Sequence, residues 1–152
     1  MRVLFYLTLL TLSCAYALWR GGWPERAVAL MLVAQTVAVL AAKMLLAPYG
    51  FLEVIIPDFL IDLLFLAGLL AVAMTADRFW PIPMVGLQGA TVAAHLARVV
   101  DPSITSIAYG TMMAVWSYPM LFLLALGTVR HRRRLKDSGF DRDWSAQAGP
   151  TT

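Results

Sequence analysis

An all-α membrane protein, built as a five-transmembrane-helix bundle, is the fold class this sequence predicts, and three observations predict it. Of the 152 residues, 61% are hydrophobic and 14% are charged, whereas a soluble domain carries about 25% charged residues. The apolar residues gather into five runs, and a helix needs about 17–25 such residues to cross the bilayer core. No stretch alternates apolar and polar residues over the length that a barrel strand requires, so helices are the expected spanning element. Cys14 is the single cysteine, which excludes an intrachain disulfide and a multi-cysteine metal or iron–sulfur centre.

The spans fall at about 3–19, 27–47, 57–76, 82–100 and 104–129, within a bundle covering 1–136. The first follows Arg2 and reads either as a spanning helix or as a secretory signal ending at Ala15-Tyr16-Ala17. Arg20-Gly21-Gly22-Trp23-Pro24 is a tight turn, with Pro24 suited to the first turn of the second span. Pro48-Tyr49-Gly50 stops that span, and Pro57 is expected to start the third. Asp77-Arg78-Phe79-Trp80-Pro81 is another short turn. Ser103 is a candidate cap for the fifth span, which Pro119 should kink. Residues 137–152 are polar and without periodicity, as a flexible cytoplasmic tail would be.

Orientation follows from the basic run Arg130, Arg132, Arg133, Arg134 and Lys136, because Arg and Lys flanking a span are retained in the cytoplasm. The C-terminus is then inside and the N-terminus outside. The turns bearing Arg20, Arg26 and Arg78 also fall inside, with Trp19, Trp23 and Trp80 as an aromatic belt. The same run can contact anionic lipid headgroups at about 1 kcal/mol per residue, which leaves nothing for a nucleic-acid role to explain.

Sidedness gathers scattered polar residues near the outer face. Lys43, Asp58, Asp62, His95 and Arg98 come from three different spans, and Tyr109 with Thr105 from a fourth reaches a similar depth. Gln88, Thr91, His95 and Arg98 are spaced three, four and three, which is one helical stripe. Small residues Gly86, Ala90, Ala94 and Ala97 lie beside it, suited to close helix approach. Gln35, Thr36, Gln88 and Thr91 are assigned to the cytoplasmic half. A charge at membrane depth is costly unless paired or wet, so Asp62 leads the constellation. Two readings stand: the acids pair with Lys43 and Arg98 merely to neutralise charge, or the group lines an outward-facing pocket for an ion, proton or small solute.

The function classes narrow accordingly. No Walker loop, dinucleotide fingerprint or Gly-x-Ser-x-Gly motif is present, so a non-enzymatic protein without cofactor or metal is expected. His95 is the one histidine within a span, so two histidines of one chain cannot flank a haem. The expected role is an accessory or structural subunit of a membrane complex, in the inner membrane of a bacterial cell. Its expected partners are the lipid bilayer and other membrane subunits or further copies of the chain. The alternatives are a small channel, transporter or sensor using the outer pocket, or a cofactor-bearing electron-transfer subunit.

Overall fold

The computed structural model describes residues 2–46, 51–101, 106–139 and 141; of residues 2, 46, 51–55, 99, 106–110 and 112–114 only the helical backbone is described. Five helices and no strand occur among them: α1 (Arg2–Arg20), α2 (Trp23–Leu46), α3 (Phe51–Thr75), α4 (Pro81–Val100) and α5 (Ser106–Ser138). Three carry segments long and apolar enough to cross a membrane, at Val3–Arg20, Trp23–Leu45 and Ile56–Thr75.

Each helix packs against its successor, α5 closes the ring against α1, and α2 also touches α5. Inward residues recur at helical spacing: Leu10, Cys14 and Ala17 on α1, and Phe65, Leu69 and Val72 along α3, with Ala76 just past its end. They meet Leu32 of α2, Met84 of α4 and Leu124 of α5 in one core. Large apolar side chains such as Leu4, Leu64, Met74 and Phe122 point outward and are exposed. An outside as apolar as the inside is what a lipid-facing bundle presents. Exposed Thr8 and Thr11 donate their hydroxyls to the carbonyls of Leu4 and Leu7 at 2.9 and 2.8 Å, so neither needs water.

The boundaries differ from the sequence expectation in two places. α3 begins at Phe51, so Pro57 lies inside the helix instead of starting it. A proline forfeits one backbone hydrogen bond, and the apolar residues before it keep the helix continuous. α5 runs through the basic residues to Ser138. At ~1.5 Å per residue its 33 residues reach about 50 Å. The chain then turns at Gly139, whose φ of 70° lies in the left-handed region that glycine adopts without a Cβ penalty.

Trp80 is a correction. It is 6% exposed and belongs to the core, not to an interfacial belt, whereas Trp19 and Trp23 are exposed. The expected close-approach face of α4 is also not used at its ends, since Gly86 and Ala97 are exposed.

Candidate functional site

The interior polar site is built by three neighbouring helices. α3 supplies Asp62, α4 supplies Gln88 and His95 seven residues apart, and α2 supplies Gln35. Asp62, Gln88 and His95 are all buried. Asp62 Oδ2 lies 2.7 Å from His95 Nε2. Asp62 Oδ1 accepts from the side-chain amides of Gln35 and Gln88, the latter at 3.1 Å. Gln88 Nε2 also reaches the Asp62 backbone carbonyl at 3.1 Å. Both carboxylate oxygens are therefore taken, by donors from two flanking helices.

An ionised carboxylate only accepts, so Nε2 of His95 must carry a proton whether the imidazole is neutral or charged. Phe59, one turn before His95's partner on α3, stands edge-on to the imidazole with ring centroids 5.9 Å apart. The arrangement can hold one proton between an acid and a base, and it can tie three helices together. Leaving such a carboxylate buried without its donors would cost several kcal/mol.

The other predicted residues divide. Lys43 Nζ lies 3.7 Å from Asp58 Oδ2, with the lysine side chain 55% exposed and the aspartate 16% exposed. That pair sits one turn above Asp62 on α3. Arg98 is half-buried, three residues past His95. Ser103 and Thr105 lie outside the described residues, as do the side chains of Tyr109 and Glu53. Gln35 and Gln88, which the sequence reading sets apart from Asp62, are brought onto its carboxylate. The expected start of α3 at Pro57 puts Asp62 only five residues into its span, away from them. With α3 starting at Phe51, Asp62 lies eleven residues in, or about 16 Å at ~1.5 Å per residue. That is the level of both glutamines.

A second buried network lies at the far end of the bundle. Glu25, fully buried in the first turn of α2, accepts a 3.0 Å hydrogen bond from the Trp80 indole. The same Oε1 lies 3.4 Å from Arg78 Nε. Arg78 in the α3–α4 turn forks onto Asp141, with Nη1–Oδ1 at 2.9 Å and Nη2–Oδ2 at 2.8 Å. His131 of α5 adds its Nδ1 to Asp141 at 2.7 Å, and Arg134 approaches the same carboxylate at 3.5 Å. The expected flexible tail therefore folds back at Asp141. Arg134, expected at anionic headgroups, lies beside Asp141, as does His131.

Among the described residues no group of three or more His, Cys, Asp or Glu side chains is placed to hold a metal ion. Fold and site together define a class: an all-helical chain with apolar helices of membrane-crossing length, cross-braced inside by two buried polar networks. No family model matches the chain, and neither a curated protein nor a solved structure is similar to it.

Proposed function

We propose that this chain is a non-enzymatic, multi-pass membrane protein of five spans that serves as an accessory or structural subunit of a membrane complex. In this reading the N-terminus is outside and the C-terminus cytoplasmic, in the inner membrane of a bacterial cell. The observation that carries it is the Asp62 node: both carboxylate oxygens are bound by side chains of the bundle itself, which is the chemistry of a brace more than of a vacant binding site. The exposed apolar surface supports embedding in lipid, and α5 outlasts a hydrocarbon core of ~30 Å, so that its basic end emerges. Mild-detergent extraction from the native membrane, with identification of whatever copurifies, tests the role. A stable hetero-complex is expected; a lone homo-oligomer that assembles with nothing counts against it. Cysteines introduced at 50–56 and 137–150 test sidedness against the buried, unreactive background of Cys14.

A second reading is favoured by one observation at Asp58. Its Oδ1 is buried and has no hydrogen-bond partner among the described residues, directly above the Asp62–His95 pair. An acceptor left open there suits a channel, transporter or sensor that takes a cation or proton from the outer side through Lys43, Asp58, Asp62, His95 and Arg98. In vesicles loaded with a pH-sensitive dye, Asp58→Asn should then abolish the proton or ion signal while the protein stays folded. An unchanged signal would exclude it.

A further inference from the structure

We propose that the groove between the ends of α1 and α5 binds the phosphate headgroup of an anionic membrane phospholipid. Arg20 comes from α1, and Arg132, Arg133 and Lys136 come from successive turns of α5. They converge on an open groove of about 420 Å³ that no acidic side chain lines. The basic run is thus divided by helix face. His131 and Arg134 turn to Asp141, while Arg132, Arg133 and Lys136 turn the other way, toward α1.

The groove is organised before any ligand arrives. The Arg20 guanidinium stacks on Trp19 with 4.3 Å to the ring centroid. That contact holds the guanidinium beside the groove, and an arginine fork matches a pair of phosphate oxygens. Tyr16 and Trp19 lie at the level where amphipathic rings meet headgroups.

A lipid is favoured over a soluble phosphate by what lies beneath. On α1, Phe5 and Leu12, spaced seven and four residues from the next member, lead up to Tyr16. On α5, Phe122, Leu126 and Val129 lead to Arg133 at spacings of four, three and four. Phe5, Leu12 and Phe122 are each at least 60% exposed, which gives acyl chains an apolar track below the charged groove.

The inference rests on the membrane reading, and the two fail differently. Alkaline carbonate that strips the wild-type protein from the membrane would overturn the membrane reading itself. For the groove, the test is electron spin resonance of protein in phosphatidylcholine vesicles, comparing spin-labelled phosphatidylglycerol with spin-labelled phosphatidylcholine. Wild-type protein should restrict the anionic label preferentially. Each removed groove charge should lower that preference by about fivefold at most, so that Arg20→Gln with Arg132→Gln and Arg133→Gln abolishes it. Lys136→Gln, an exposed position that folding should tolerate, should lower it alone; Arg26→Gln, an equal charge loss elsewhere on the same end, should not. Equal losses from Lys136→Gln and Arg26→Gln would mean diffuse attraction and would overturn the site, as would an unchanged triple variant. Displacement of the label by 10 mM inorganic phosphate, on the order of a weak millimolar ligand, would overturn the assignment to lipid.

Discussion

Asp141, beyond the last turn of α5, receives both terminal nitrogens of Arg78, at 2.9 and 2.8 Å, across 63 residues of sequence. Arg78 also faces the fully buried Glu25. One guanidinium therefore balances two carboxylates, from α2 and from the segment after α5. Removing it strands the buried Glu25 without a cation, while Asp141 keeps only His131 and the more distant Arg134. Arg78→Met should destabilise the folded protein by about 3–5 kcal/mol, read as earlier unfolding by denaturant titration in micelles.

Asp141→Asn should be milder, at about 1.5–3 kcal/mol, because it removes charge-assisted hydrogen bonds without stranding Glu25. Its sharper signature is local. With the segment after α5 released, trypsin should cut at Arg132–Lys136 faster than in wild-type protein, while the rest of the chain is cut at an unchanged rate.

At the central node the two obvious replacements of Asp62 should separate. Asp62→Leu takes the acceptor from Gln35 and His95 and leaves Gln88 only the backbone carbonyl of residue 62, and should cost about 2–4 kcal/mol. Asp62→Asn keeps an acceptor oxygen for both glutamines and turns its amide toward His95. The imidazole can then move its proton to Nδ1 and accept through Nε2. Asp62→Asn should therefore unfold within about 1 kcal/mol of wild type. Equal losses from both replacements in the same denaturation assay would contradict the tautomer argument.

Two glycines should respond differently to alanine. A Cβ at Gly127 would lie 2.8 Å from the Trp80 ring, which is buried and held by Glu25. A fixed aromatic cannot retreat, so Gly127→Ala should cost about 1–3 kcal/mol. At Gly68 the Cβ would meet the Met31 sulfur at 2.6 Å. A thioether on a flexible chain can swing away, and alanine gains helix propensity of up to about 1 kcal/mol, so Gly68→Ala should be near neutral. Thermal unfolding of the pair, side by side, checks both.

The Lys43–Asp58 pair should contribute little. With the lysine more than half exposed and 3.7 Å from its partner, Lys43→Met should change stability by no more than about 1 kcal/mol.

Much of this was legible because chemistry stood out against an apolar background. Asp62 is conspicuous in the run from Leu60 to Met74, and the spacing of Gln88, Thr91, His95 and Arg98 marks one stripe of α4 whichever way it faces. The depth of Asp62 was harder. Pro57 carries the signature of a helix start, but a proline can also sit within a helix at the loss of one hydrogen bond, and sequence does not say which. That choice decided whether Gln35 and Gln88 seemed to share a level with Asp62. Trp80 was opaque for a similar reason: a tryptophan between Arg78 and Pro81 looks the same whether it lies in the headgroup layer or donates to a buried Glu25. Asp141 gave no signal, since an acid in an aperiodic polar stretch does not reveal a partner 63 residues away.

The ring of helices closes only at its final seam. Each helix from α2 to α4 can dock on the neighbour synthesised just before it, but α1 stays open on one flank until α5 arrives to cover it, with Tyr118 against Phe5 and Tyr6. During synthesis the earliest helix must therefore wait for the last. A ribosome that stops before α5 would release a bundle with a gap down one side and Arg78 without His131 and Asp141, a form that membrane proteases can recognise as unfinished.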